Sequence, residues 1–275
     1  MMVLFIVLGA LALLFPLLFL LAIRGRSGHP GLSELSRHCY AHRGLHGSGR
    51  PENSLAAFRA AKEAGYGVEL DVHMTADGEL VVIHDSTLDR VTGQSGTVEK
   101  MTLEQLKPFR LEGTQERIPT FQEVLELFDG QVPLIVELKP LYGNHPRLSE
   151  AACRMMQHYK GPYCMESFDP RCVRWLKKNR PDIIRGQLAE NYFAEDRPKL
   201  PLVLKWALTH NQFNFLTKPD FVAYRFADRN ATVTNRLCMR RMTGVSWTLT
   251  SQEEWDQAIS EGWIGIFEGF LPNSK

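Results

Sequence analysis

The chain carries no surplus of charge. Its 32 lysines and arginines stand against 31 aspartates and glutamates, a net of +1. No basic excess suggests nucleic acid as a partner, and no block of like charges suggests an interaction tail. Cysteines are few, and none sits in a C-x-x-C pair. Cys39, Cys153, Cys164, Cys172 and Cys238 are odd in number and scattered. The plain reading is free thiols in a reducing compartment. No internal sequence repeat is visible.

Charge is missing altogether from one stretch. Met2 to Ile23 is a run of 22 residues without a charge, long enough to span a bilayer core as a helix. Pro16 in its middle is tolerable there. A cleaved signal peptide would have a positive segment ahead of a shorter apolar core, whereas here no Lys or Arg precedes the run, and Arg24 and Arg26 follow it. A single transmembrane helix over residues 1–23 is therefore expected. The two arginines put its C-terminal side in the cytoplasm by the positive-inside rule. A polar linker with Gly28, Pro30 and Gly31 covers 24–36, and residues 37–275 form the main domain. Its length suits an α/β barrel.

That part is organised around Gly67–Asp85, which reads as two short strands joined at Asp77-Gly78, a strong hairpin signal. Glu69 and Asp71 are two apart, so both leave the same face of the first strand. Two carboxylates there repel each other unless something positive sits between them. A two-residue loop would pair Ala76 with Glu79 and set Asp71 opposite His84, bringing two oxygen ligands and an imidazole to one point.

Taken in order, His38–Gly44 is an apolar run ending in polar residues, as a barrel strand ends at its catalytic face. Asn53 or Ser54 can cap a helix through Leu55, Phe58 and Ala61, stopped by Gly65. Residues 86–117 carry no strong alternating strand and read as an insertion on the active face. Thr102 to Gln105 and Thr120 to Glu123 are capping boxes, the second opening a helix to Phe128. Pro133–Lys139 is a buried strand with a charged end. Tyr163–Phe168, Ile183–Leu188, Phe221–Arg225, Val245–Leu249 and Trp263–Glu268 complete the strands. Helices separate them, one opening at Asp169-Pro170 and another covering 251–261. Eight alternating units predict an α/β fold, a (β/α)8 TIM barrel with an insertion after strand 2. Leu200–Trp206 is an apolar stretch ahead of the strand at 221. Its simplest reading is a crossover helix burying its apolar side.

Glu137 and Lys139 repeat the i, i+2 arrangement of Glu69 and Asp71 at another strand end. Adjacent strands would bring together three carboxylates and one ammonium, and oxygen ligands suit a hard cation, Mg²⁺ or Ca²⁺. His42 and His84 converge on the same mouth. Two imidazoles beside a cation and an ammonium suit attack at a phosphoester. Taken singly, each feature has a blander reading: a Glu-x-Asp is more often a salt-bridge partner, a histidine a satisfied core or surface residue, Lys139 a solvated one, and Arg43 a structural partner of Glu52. Their coincidence at matching strand ends favours chemistry. No serine or cysteine among them is placed as a covalent nucleophile.

Together, His42-Arg-Gly44, Pro51-Glu-Asn-Ser54, Val68-Glu-Leu-Asp-Val72, the arm from Asp77-Gly78 to Val82-Ile-His84-Asp85, Leu88-Asp-Arg90, Gly96-Thr97-Val98 and Glu137-Leu-Lys139 resemble the glycerophosphodiester phosphodiesterases. The likeness is dense from 38 to 140 and thin afterwards, where Ser167-Phe168 and Trp247-Thr248 look like later family positions. It implies a barrel of the phosphatidylinositol-phospholipase-C type, with residues 86–117 as the family's insertion. It carries over His42 and His84 as acid and base, Glu69, Asp71 and Glu137 as metal ligands, and Arg43, Glu52 and Lys139 as substrate-side residues. One departure stands out. The family's last strand usually ends in an acid before a proline, and in Gly265–Pro272 that acid is displaced or absent, which leaves the pocket near the last two strands open. The function implied is metal-dependent hydrolysis of glycerophosphodiesters to glycerol 3-phosphate and an alcohol. Two rivals stand beside it. One is a lysophospholipase D acting on membrane lysophospholipids, which the apolar N-terminus and Leu200–Trp206 favour. The other is a non-catalytic barrel binding phosphodiesters or a protein, which the intact histidine, carboxylate and lysine set argues against.

Overall fold

Short apolar runs ending in polar residues become the strands of a closed barrel. The structure, a computed structural model, describes residues 14–26, 28–47, 49–194, 200–233, 236–237 and 240–273. The strands are β1 (Tyr40–His42), β2 (Gly67–Met74), β3 (Leu80–Val82), β4 (Leu134–Leu138), β5 (Tyr163–Ser167), β6 (Ile184–Ala189), β7 (Phe221–Arg225), β8 (Thr243–Leu249) and β9 (Ile264–Phe267). Eight are parallel and run β1-β2-β4-β5-β6-β7-β8-β9, and pairing of β9 with β1 closes the ring. β3 alone is antiparallel, lying on the part of β2 that outreaches the three-residue β1. The expected eight strands and the extra hairpin arm are all present.

Three apolar cores hold this arrangement. Outward residues of the strands, such as Val68, Leu70 and Val136, pack under helices through Phe58, Phe128 and Trp255. Inward residues, Tyr40, Ile135, Phe221, Val245 and Ile266, fill the barrel itself. Two glycines make room for its rings: a Cβ on Gly186 would lie 2.2 Å from the Phe221 ring, and one on Gly67 2.7 Å from that of Tyr40. The short helix Leu32–Leu35 plugs the N-terminal end with Leu35, whose carbonyl accepts from the Tyr40 hydroxyl at 2.9 Å. A third core under the insertion gathers Val81, Ile83, Leu88, Val98 and Leu106. The chemistry is thereby left to the C-terminal ends of the strands, as in other barrels of this architecture.

The local signals at helix starts hold. Ser54 caps Leu55–Glu63, Asp169 caps Pro170–Asn179, Ser251 caps Gln252–Ser260, and both capping boxes are formed. The four described cysteines are buried free thiols, and Cys238 lies outside the described residues.

Two expectations change. The hairpin loop is one residue longer than expected. Met74 pairs with Leu80 and Val72 with Val82, so Asp71 faces Ile83 rather than His84. The Thr75 hydroxyl accepts from the Glu79 amide, and Gly78 alone takes a positive φ, giving a three-residue turn in place of a two-residue one. His84 reaches the site in a bend past β3 instead of across the ladder.

Secondly, the helix Leu202–Thr209 does not bury its apolar side. Leu202 is 74% and Val203 80% exposed, and of its residues only Thr209 is buried. A polar Thr-His-Asn turn follows, and the hydrogen bond from Tyr192 to Thr209 holds that end instead.

No helix among the described residues is long and apolar enough to cross a membrane. Residues 1–13 of the expected transmembrane run lie outside the described residues, and residues 14–22 are helical. That helix joins the barrel through buried Ile23. Arg26, counted for membrane orientation, forks onto Asp220 with both bonds at 2.6 Å.

Candidate active site

Parallel register brings the polar strand ends together. His42 on β1 lies beside Glu69 on β2, Asp71 beside Glu137 on β4, and Glu137 beside Glu166 on β5. Residues side by side in a parallel ladder share a face, here the inside of the barrel. The carboxylate oxygens of Glu69, Asp71 and Glu137 all come within 4.8 Å of one another. Lys139, just past β4, places Nζ 3.1 Å from Asp71 and 2.9 Å from Glu137.

The loop after β1 supplies the second cation. Arg43 takes φ 53°, and its amide donates to the Glu69 carbonyl at 3.0 Å. Its guanidinium donates to Glu52 at 3.0 Å and lies 3.5 Å from Asp71. Asn53, also at φ 53°, donates its side-chain amide to Asp71 at 2.8 Å. Asparagine and glycine tolerate this left-handed backbone, while at arginine it is uncommon. The Asn53 amide donates to the Arg43 carbonyl at 3.0 Å, which holds the turn.

Burial decides the protonation of this group. It pushes Glu69 well above the usual carboxylate range, with Asp71 and Glu137 adding repulsion. Glu137 is pushed up to about 7 by burial and by Asp71, against the pull of Lys139. Burial also pushes on Asp71, but Lys139, His84, Arg43 and the Asn53 amide outweigh it and hold that carboxyl well below its usual range. Glu166 is raised strongly by burial, then by Glu137 and Asp71, and its Oε2 has no hydrogen-bond partner. Ionised together, these four buried carboxyls would outnumber the two cations, and the donors are all oxygen. Glu69, Asp71 and Glu137 thus fit a divalent hard cation.

Each histidine has its Nδ1 tied to a carboxylate. His42 Nδ1 meets Glu268, just past β9, and its Nε2 is 3.8 Å from Glu69. Burial lowers the His42 pKa, and Glu268 offsets part of this. The His42 ring, with His46 beside it, holds Glu268 far below the carboxylate range. His84 Nδ1 is 2.7 Å from Asp85, and Arg90 bonds Asp85 at 2.6 Å while forking onto Glu52 at 2.8 and 2.6 Å. Glu52 in turn holds Arg43, so a chain of charges runs from His84 to Arg43. The His84 bond, then Arg90, keeps Asp85 strongly acidic.

A cavity of about 120 Å³ is lined by the polar residues His42, Arg43, Glu69, His84, Glu137 and Glu166 and by the apolar Phe168, Leu188, Trp247 and Ile266. Of the eight expected residues, His42, His84, Arg43 and Lys139 gather around the carboxylates of three others, Glu69, Asp71 and Glu137. Glu52 stands behind them as a partner of Arg43 and Arg90. Asp71 and Lys139 lie beneath the cavity wall. Two residues were missed. Glu166 precedes Ser167-Phe168 in a strand whose alternation alone would have turned it inward. Glu268 is the displaced strand-end acid, present and bonded to His42.

A model of the glycerophosphoryl diester phosphodiesterase family matches residues 42–270. A glycerophosphodiester phosphodiesterase of Caldanaerobacter subterraneus subsp. tengcongensis is 39% identical over 239 residues, 82% of this chain and 91% of its own length. Glycerophosphodiester phosphodiesterase 1 of Mus musculus is 40% identical over 253 residues, 78% of this chain and 72% of its own. The solved structure of an Oleispira antarctica phosphodiesterase in complex with sn-glycerol-3-phosphate shares the fold with a TM-score of 0.71 at 24% identity, covering 88% of this chain and 95% of that one.

Proposed function

This chain belongs to the glycerophosphoryl diester phosphodiesterase family and is a glycerophosphodiester phosphodiesterase; we propose that it hydrolyses its substrate to glycerol 3-phosphate and an alcohol, with His42 and His84 moving the protons and a hard cation in attendance. The observation that carries this reading is the pairing of each Nδ1 with a carboxylate, His42 with Glu268 and His84 with Asp85. A carboxylate on Nδ1 fixes that nitrogen as the donor and leaves Nε2 free to exchange a proton with substrate.

A divalent cation held by Glu69, Asp71 and Glu137 would supply positive charge against the phosphoryl oxygens as the transition state forms. Arg43 binds a phosphate oxygen from the other side, held in place by Glu52. Lys139 keeps Asp71 ionised at close quarters and pulls Glu137 the same way against its burial. His42, kept neutral by burial, takes the proton of the substrate's own 2-hydroxyl as that oxygen attacks phosphorus, and His84 protonates the departing alkoxide. The roles then reverse as water opens the cyclic phosphate. A tethered hydroxyl has the advantage of effective molarity over water.

A panel of glycerophosphodiesters assayed with and without chelator, on the parent and on Glu69→Gln, tests the reading. Turnover lost in both chelated and substituted enzyme is expected, and full activity of Glu69→Gln at saturating metal would overturn the metal assignment. A substrate with hydrogen in place of the 2-hydroxyl tests the cyclic route: normal turnover would replace it by direct attack of water.

One observation favours a lysophospholipid as the diester. Leu202, Val203 and Trp206 expose apolar area beside the N-terminal helix, where the Trp206 and Phe19 rings stand 6.4 Å apart. The 22-residue uncharged run leads into that helix, and we keep membrane attachment through residues 2–23, with the barrel on the cytoplasmic side, within the proposal. Faster turnover of a lysophospholipid in vesicles than of its soluble glycerophosphodiester counterpart is expected, and the opposite order would remove this part.

A further inference from the structure

The loop after β1 does more than place Arg43. Arg43 and Gly44 both take positive φ, 53° and 81°, which curls the chain back over the barrel rim. A side chain at position 44 could not follow, since its Cβ would lie 2.8 Å from the Ala57 backbone. His46 is thereby turned towards the end of β9. Ala41 pairs with Phe267 in the β1–β9 ladder, so His42 and Glu268 stand at one height. Three groups meet there. His42 Nδ1 touches Glu268 Oε2, and His46 Nε2 lies 3.6 Å from Glu268 Oε1. One ligand atom from each of the three falls within 4.8 Å of the others. The Nε2 of His46 is screened from solvent and makes no hydrogen bond. Glu268 sits too far from it for one, and an imidazole nitrogen in that position wants either a donor or a metal.

We infer that His42, His46 and Glu268 form a second metal site, of the transition-metal class and best suited to Zn²⁺, whose occupation stops catalysis. Two imidazole nitrogens and one carboxylate oxygen are the protein ligands of many zinc centres, with a fourth position left to water. The donor set differs in kind from that of Glu69, Asp71 and Glu137, where all donors are oxygen and a hard cation is favoured. Two sites of opposite hardness therefore flank His42. A hollow of about 340 Å³ lined by His46, Arg50, Glu268 and Phe270 opens on the second from outside, so an ion can enter without passing the substrate cavity.

The inhibition rests on the proton-transfer role given above to His42. A metal on Nδ1 takes the place of the proton now shared with Glu268. The single proton of the neutral ring then shifts from Nδ1 to Nε2. That nitrogen can no longer accept one from substrate, and the ring is turned by the metal instead of by Glu268. Zinc would act as a brake on an enzyme that its hard cation switches on.

The test uses the full chain with Mg²⁺ or Ca²⁺ saturating. Zn²⁺ is titrated in by calorimetry and, in parallel, against turnover. One equivalent bound in the presence of excess hard cation is expected, with turnover falling in step. His46→Gln should weaken zinc binding and raise the half-inhibiting concentration at least about tenfold, since loss of even an outer partner of a metal ligand costs about 10–100-fold. Each variant is compared with its own zinc-free rate. Zinc that is displaced by excess hard cation, or that binds His46→Gln as tightly as the parent, would overturn the site. Zinc that binds as expected while turnover continues would keep the site, overturn the brake, and with it the assignment of His42 to proton transfer.

Discussion

The rim made by β1, β2 and β4 carries His42, Arg43, Glu69, Asp71, Glu137 and Lys139, whereas β5, β6 and β8 close the same cavity with Phe168, Leu188 and Trp247. On the first side almost every charged atom has a charged partner: Asp71 alone is met by Lys139, Arg43 and Asn53. On the second side the contacts are rings and aliphatic surface, Phe168 standing edge-on to Trp247 at 5.5 Å. The polar atoms there, Trp247 Nε1 and Glu166 Oε2, are buried without partners. The charged side is thus organised before any substrate arrives, as a site that stabilises developing charge must be. The apolar side keeps its hydrogen-bonding capacity for the ligand. On the proposed reading the first side would handle the phosphodiester common to all substrates of this class, and the second would meet what differs between them.

The largest effects should follow from breaking the charged side. Replacing His42 or His84 by Ala is expected to lower kcat by about 10²–10⁴, the usual contribution of positioned acid–base groups, with substrate still bound. Steady-state kinetics on purified enzyme check this. A comparable loss of kcat from Trp247→Ala would mean that both sides take part in the chemical step, and the division would fail.

The second effect sharpens the division from the other side. Phe168→Ala and Trp247→Ala each remove apolar surface from the cavity. They should raise KM roughly tenfold or more for one head group relative to another, the scale on which a hydrophobic pocket discriminates, and leave kcat within a few-fold. Measuring kcat/KM across a head-group panel separates the cases, and a uniform loss over all substrates would count against this side as the seat of specificity.

The same division governs what could be read from the sequence. The charged side was legible because its residues lie at strand ends in short repeated spacings, Glu69 with Asp71 and Glu137 with Lys139, and strand alternation turns each pair to one face. The hairpin register was not, because Asp-Gly serves both two- and three-residue turns, and the Thr75 hydroxyl, which favours the longer one by bonding Glu79, leaves no mark in the apolar pattern. Glu166 was passed over because a lone acid in an apolar strand has no partner nearby in sequence; its neighbour Glu137 is a whole helix away. Glu268 was seen only as a departure from a pattern, since its meaning depends on β9 closing against β1. Leu200–Trp206 was misjudged because composition shows that a stretch is apolar but not which surface covers it.

The smallest effect tests whether the charged side is complete by itself. Burial, with Asp71 adding repulsion, raises the Glu137 carboxyl from its ordinary 4.5 to about 7, and Glu69 moves the same way. A carboxyl raised on folding binds its proton more tightly in the folded chain than in the unfolded one. Its favourable contribution is therefore fully present below about pH 4.5 and is lost as pH rises through about 7. Above that the metal-free protein must bury the ionised group, and a divalent cation relieves the cost. Removing the cation should accordingly lower Tm more at pH 8 than at pH 6, each kcal/mol of difference moving Tm by about 2–4 °C for a domain of this size. Thermal unfolding of dialysed and metal-loaded protein at the two pH values checks it. Equal losses would mean that Lys139 and Arg43 already neutralise the carboxylates and that the charged side is balanced without an ion. A larger loss at pH 8 would mean that the cation is part of how this half of the barrel folds, while the apolar half stands without it.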